Sequence, residues 1–232
     1  MDSEQTFKKH CAIPEYRQQL QDLNWLDPRV ITYKYNNHGF RTADFDQQPS
    51  GLALGCSYTE GVGVAQDQTW PSVLSKLCNY HIWNLGVGGC SFDTVFRLLE
   101  YYLPKLNVQF VCVLPPPPTR FEFCDINGDF ISVAPYRLDR YPDFGKAWLT
   151  QQHNQDITAR KNLLAIQQIC ALASIPLFVN QPKSHIYYDR QARDLAHPGT
   201  VAQQWLAEQF LDQMQLSKSA FMKFKFRNQS QS

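Results

Sequence analysis

Ser57, Asp194 and His197 are the residues of this chain whose types could combine in covalent chemistry. A serine hydroxyl is a weak nucleophile until a base takes its proton. A histidine serves best as that base when a carboxylate fixes its tautomer and stabilises the imidazolium. Asp194 and His197 have two residues between them, so one tight turn can put the carboxylate on one ring nitrogen and leave the other for Ser57. Acyl transfer by such a set passes through a tetrahedral intermediate and needs donors aimed at its oxyanion. The backbone N–H groups of Ser57 and Gly89 are the candidates, Gly89 because glycine lets backbone approach a substrate closely.

These residues need elements to carry them. Leu52-Ala-Leu ends at Gly55 and turns polar at once, as where a buried strand delivers a side chain to a sheet's carboxyl edge. Gly51–Gly55, His81–Gly86, Val108–Leu114 and Ile175–Asn180 read as four strands. Between them lie helical patterns. One starts near Thr69 with Trp70, Val73, Leu74 and Leu77 on one face, and another carries Phe92, Phe96, Leu99 and Leu103 and stops at Pro104. A third carries Ala159, Leu163, Ile166, Cys170 and Ala173, and a last one, opened by Pro198, carries Ala202, Leu206, Phe210 and Met214. Strands alternating with helices predict an α/β fold with a parallel sheet covered on both faces, whose ligands bind beyond the carboxyl ends of the strands. Ser57, Gly89 and the run Pro115–Pro118 follow the first three strands and therefore share that rim.

The prolines cannot continue a central strand, so the chain leaves the sheet there, and 115–153 reads as a long loop insertion rich in aromatic residues and arginine. Residues 1–50 read as an extension packing on the core domain 51–216, with a short helix near Glu15–Leu23 and a turn at Asn36–Arg41. Residues 217–232 read as a tail. His38, Glu60, Asp93 and His185 read as structural or surface groups. With 22 Lys and Arg against 21 Asp and Glu, the net charge of +1 gives no electrostatic reason to expect a nucleic acid or an anionic membrane surface. Seven cysteines without CxxC spacing favour reduced thiols, no run has the length of a membrane span, and the N-terminus lacks a signal-peptide pattern. A cytoplasmic protein is the expectation.

Gly55-Cys-Ser57-Tyr-Thr59-Glu-Gly61-Val-Gly63-Val, then Asn84-Leu-Gly-Val-Gly-Gly89, then Asp194-Leu-Ala-His197, resemble in order three sequence blocks of the SGNH (GDSL-type) hydrolases. The α/β-hydrolase elbow Gly-x-Ser-x-Gly is disfavoured, since Thr59 stands at its second glycine. The resemblance implies a three-layer α/β/α sandwich around a flavodoxin-like parallel sheet of about five strands. It implies a serine esterase without metal or cofactor, acting on a small-molecule or carbohydrate ester, with Ser57, Asp194 and His197 as the triad and Ser57 and Gly89 at the oxyanion.

Two blocks depart from the pattern. Cys56 stands where the family has an aspartate, and Leu114-Pro-Pro-Pro-Pro-Thr-Arg120 replaces the block whose asparagine donates to the oxyanion. Losing one such donor costs about 10²–10³ in turnover. Arg120 or Thr119 can supply a replacement or touch substrate, Asn180 is a weaker candidate, and Glu122 offers Arg120 a structural salt bridge instead. Three readings stay open: an esterase, an acyltransferase using the same residues, and a binding protein with a retired site. The oligomeric state is not legible.

Overall fold

The computed structural model describes residues 2–137, 142–180 and 191–229. Four parallel strands, β1 (Ser50–Gly55), β2 (Ile82–Asn84), β3 (Val108–Leu114) and β6 (Leu177–Val179), form one sheet in the order β2-β1-β3-β6. The register sets Leu52 beside Trp83, Ala53 beside Cys112 and Val113 beside Val179. Every residue of β1 is buried, which explains why it reads as a continuous apolar run without alternation.

Alternation appears instead in which layer each residue meets. Leu52, Leu54, Val111 and Val113 face a cluster that includes Val95 and Leu99 of α5 (Phe92–Tyr102) and Ile166 and Cys170 of α7 (Gln152–Leu172). Ala53, Phe110, Cys112 and Leu114 face Trp70 and Leu74 of α4 (Trp70–Cys78) and Leu206 and Phe210 of α8 (Thr200–Gln229). The result is a three-layer α/β/α sandwich. Each fully buried leucine of β1 contributes about 1.5–3 kcal/mol relative to an exposed one.

The helix faces follow the sequence pattern with two exceptions: Leu77, expected on the buried face of α4, is 43% exposed, and Ala173, expected on the buried face of α7, lies exposed just past its end. The helix starts are chemically explicit. Pro71 lies in the first turn of α4, and Ser91 Oγ accepts from the N–H of Thr94 at 3.3 Å at the head of α5. At the amino end, α1 (Glu4–Ala12), capped by Ser3, precedes α2 (Pro14–Asp22), which matches the helix expected near Glu15–Leu23. Phe7, Leu20, Trp25 and Ile31 form a separate small core, and Leu195 packs against it.

The four strands of the parallel sheet among the described residues are the four read from the sequence. One expectation is corrected: the insertion is more ordered than an irregular loop. It contains an antiparallel hairpin, β4 (Phe121–Cys124) with β5 (Phe130–Val133), and the helix α6 (Pro142–Leu149). The hairpin turn is built on Asp125, whose Oδ1 accepts from the N–H groups of Asn127 and Asp129, each at 2.9 Å, while Gly128 takes φ +87°.

Candidate active site

β1 ends at Gly55, and after Cys56 the chain winds into a single helical turn, α3 (Ser57–Glu60), that carries Ser57 at its start. Several buried groups hold this turn. The Asn84 side chain donates to the carbonyl of Thr59 at 2.8 Å and accepts from the N–H of Gly86 at 2.9 Å, tying the second rim loop to the first. The two backbones meet so closely that a Cβ on Gly86 would lie 2.2 Å from the Glu60 nitrogen, which is why glycine stands there. Arg41, 1% exposed, donates to the carbonyls of Glu60, Gly61 and Val64 beyond the turn, over the ring of Tyr33. Burial lowers the Arg41 pKa from its ordinary value; the nearby Tyr33, Tyr35 and Glu60 oppose that shift.

The acid and the histidine come from the loop before α8. Asp194 Oδ1 accepts the N–H groups of Ala196 at 3.1 Å and His197 at 3.0 Å, so the loop folds around its own carboxylate. That fold places Leu195 at φ +53°, an uncommon conformation for a branched residue, held because its side chain packs on the amino-terminal core. The other oxygen, Asp194 Oδ2, lies 2.6 Å from His197 Nδ1, and His197 Nε2 lies 2.9 Å from Ser57 Oγ. With the proton on Nδ1 directed to the carboxylate, Nε2 is free to accept from the serine hydroxyl. Burial pushes the Asp194 carboxyl up, but the hydrogen bond and charge of His197 and the two amides outweigh it and hold the carboxyl below its ordinary value. Ser57 is 6% exposed, and the ring of Tyr58 meets the His197 ring edge-on at 5.8 Å.

Sequence reasoning missed what anchors this loop. Arg193, immediately before Asp194, forms a buried ion pair with Asp2 at 2.7 Å and donates to the carbonyls of Pro28 and Ile31. Its N–H donates to the Gly63 carbonyl at 2.8 Å. Tyr33 links the same parts, since its hydroxyl donates to Asp2 and accepts from the N–H of Gly63. Trp25 Nε1 donates to the carbonyl of Gln191 at 2.8 Å. The residues before β1 thus grip both the segment after α3 and the loop before α8, and no local motif announces a pair 191 positions apart.

Gly89 sits in the turn after β2 at φ +75°, and the turn closes through the Cys90 N–H on the Val87 carbonyl at 3.2 Å. Arg120 does not pair with Glu122. It donates to the Cys90 carbonyl at 3.3 Å and lies over the Tyr136 ring, while Glu122 takes Arg97 at 2.7 Å. Thr119 is half-buried. Asn180 closes β6 with its N–H on the Val113 carbonyl, and its buried side-chain nitrogen lacks a partner among the described residues. Glu60 is buried and accepts from the Tyr35 hydroxyl at 2.8 Å; Asp93 accepts from Asn162 and from the Glu122 N–H; His38 lies within 3.4 Å of the Tyr102 hydroxyl. His185 lies outside the described residues. No disulfide joins any of the seven cysteines among the described residues. Among the described residues no helix is long and apolar enough to cross a membrane, and no group of three or more His, Cys, Asp or Glu is arranged to hold a metal ion.

The geometry is that of an α/β/α protein with a serine, histidine and aspartate in hydrogen-bonded series at the carboxyl rim of its sheet. No family model matches the sequence, and no curated protein matches it. Among solved structures the chain is similar to the psychrotrophic esterase EstA from Pseudoalteromonas sp., with 14% identity over 73% of this chain and 98% of that one and a TM-score of 0.44. It is similar to a member of the lipolytic G-D-S-L family from Veillonella parvula, with 12% identity over 71% and 97% of the two chains and a TM-score of 0.38. It is similar also to AlinE4, an SGNH-hydrolase family esterase, with 18% identity over 72% and 75% and a TM-score of 0.38.

Proposed function

We propose that this chain is a serine ester hydrolase of the SGNH type that cleaves a short acyl ester, with an O-acetyl group on a carbohydrate as the first substrate class to test. The observation that carries the reading is the unbroken series from Asp194 through His197 to Ser57, at 2.6 and 2.9 Å. In the proposed reaction Ser57 Oγ attacks the acyl carbon as its proton passes to His197 Nε2. The tetrahedral intermediate collapses, the bond to the alcohol oxygen breaks, and that oxygen takes the proton from His197. Water, deprotonated by His197, then attacks the acyl-serine ester, the acyl bond to Ser57 Oγ breaks, and Oγ takes the proton back from His197 as the acid leaves. Asp194 holds the tautomer and stabilises the imidazolium, and the N–H groups of Ser57 and Gly89 take the oxyanion. The same residues serve acyl transfer if an acceptor alcohol replaces the water, and analysis of the products with a sugar acceptor present separates the two outcomes.

The test is hydrolysis of p-nitrophenyl acetate and of acetylated sugars by the wild type beside Ser57→Ala. Turnover that vanishes in the variant supports the reading. Wild-type protein that hydrolyses no ester in the panel, or a variant as active as the wild type, refutes it.

A further inference from the structure

The oxyanion turn is the least constrained part of the rim by composition, since Gly88 and Gly89 are adjacent and neither has a side chain to anchor. An oxyanion donor accelerates a reaction only if it is held in place beforehand. The resembled family's third-block asparagine is absent after β3, and the chain instead runs through Pro115–Pro118 into the β4–β5 hairpin. Two side chains of that segment reach back to the turn. Ser132 Oγ donates to the Gly89 carbonyl at 3.0 Å, and Arg120 donates to the Cys90 carbonyl at 3.3 Å.

These contacts complete a set. The Gly89–Cys90 peptide is held at its carbonyl by Ser132 and at its N–H by Val87. The Cys90–Ser91 peptide is held at its carbonyl by Arg120 and at its N–H by Thr94 Oγ1 at 3.3 Å. On the other side, the Val87 N–H donates to the Gly55 carbonyl at 3.1 Å. Both peptides after the glycine pair are thus fixed at each polar end, and two of those four attachments come from the insertion.

The hairpin is itself well anchored. Glu122, whose side chain is 7% exposed, takes Arg97 at 2.7 Å and the Thr94 hydroxyl at 2.7 Å, both on α5. Its N–H donates to Asp93 Oδ2, and the other oxygen of Asp93 accepts from Asn162 on α7 at 2.8 Å. A rigid path therefore runs from two core helices through the hairpin to the turn after β2.

We infer that the β4–β5 hairpin braces the oxyanion turn, with Ser132 and Arg120 as positioning residues that keep the Gly89 N–H in place, a device standing where the family's asparagine donor is missing. The inference rests on the esterase reading of Ser57. Neither residue is assigned contact with the reacting atoms. Their effect passes through the two carbonyls they hold.

The test compares Ser132→Ala, Ser132→Thr, Arg120→Ala and Arg120→Lys with the wild type, by steady-state kinetics on p-nitrophenyl acetate and by amide hydrogen exchange over residues 87–91. Ser132→Ala and Arg120→Ala are expected to lower kcat about tenfold to a hundredfold, short of the ~10²–10³ for deleting a donor, with KM within about twofold. Exchange at the Cys90 amide is expected to accelerate in both, and Ser132→Thr, which keeps a hydroxyl, to restore most of the rate. Unchanged exchange in Ser132→Ala and Arg120→Ala overturns the brace, as does a loss that appears in KM alone, which would make Arg120 a substrate contact. If the wild type hydrolyses no ester, the proposed function fails, and hydrogen exchange alone still decides whether the hairpin holds the turn.

Discussion

Replacing Asp194 by asparagine changes almost no volume and almost all of the wiring. Oδ1 accepts from two backbone amides, at 3.1 and 3.0 Å, and Oδ2 faces His197 Nδ1 at 2.6 Å. An asparagine has one acceptor and one donor for these two places. If its oxygen keeps the amides, its NH2 faces Nδ1, which must then lose its proton and become an acceptor. The proton moves to Nε2 and points at Ser57 Oγ, 2.9 Å away, so the base is in the wrong tautomer. If instead the oxygen faces Nδ1, the NH2 is pressed against two N–H groups and the loop loses its centre. The first arrangement is the cheaper, and wrong-tautomer variants of such triads lose about 10⁴ in kcat, close to 5.4 kcal/mol at about 1.36 kcal/mol per tenfold. The assay is kcat on p-nitrophenyl acetate, with Ser57→Ala as the floor and near-UV circular dichroism to show that the fold is kept. A folded Asp194→Asn protein that retains more than about a tenth of wild-type kcat refutes the reasoning, because the one arrangement of the amide that leaves Nε2 able to accept sets its NH2 against two backbone N–H groups.

Two further expectations concern the same loop. Asp2→Asn removes the partner of Arg193 where both side chains are at most 5% exposed, so it should cost about 3–5 kcal/mol in urea unfolding, toward the lower end because the carbonyls of Pro28 and Ile31 still take the guanidinium. A cost below about 1 kcal/mol would mean that the residues before β1 do not hold the loop. The lowered pKa of Asp194 makes a stabilising contribution that is fully present above the ordinary value of 3.8 and is lost as pH falls through the lower folded-state value. The stability gap between wild type and Asp194→Asn should therefore be constant from neutral pH down to about that value and close only in stronger acid; a gap that closes near neutrality contradicts this assignment.

The layers were legible because apolar periodicity writes them directly. The unbroken run of β1 reflects a strand buried on both faces, and Ala202, Leu206, Phe210 and Met214 recur at helical spacing because one side of α8 covers the sheet. Ser57, Asp194 and His197 were legible as candidates because the short spacing of the last two is itself the geometry of the turn. The hairpin carried a readable signal that composition obscured: Asn127-Gly128 between two aromatic β-rich runs is a hairpin turn signature, but the surrounding prolines, arginines and aromatics drew the segment toward an irregular loop. The supports of the rim were not legible at all. Arg41 and Arg193 look like surface charges in sequence, and only the tertiary fold supplies the carbonyls and the Asp2 carboxylate that make their burial tolerable. Arg120 shows the same limit, since the neighbouring Glu122 is claimed by Arg97 on α5 rather than by the arginine two positions away.

Ser57 as an activated nucleophile is the claim on which the rest stands, and intact-mass measurement after reaction with a fluorophosphonate probe tests it most directly. The wild type should gain the mass of a single phosphonyl group, mapped to the peptide containing Ser57, while Ser57→Ala gains none and His197→Ala reacts orders of magnitude more slowly. Wild-type protein that stays unmodified, or that is modified equally with Ser57 replaced, would contradict the account.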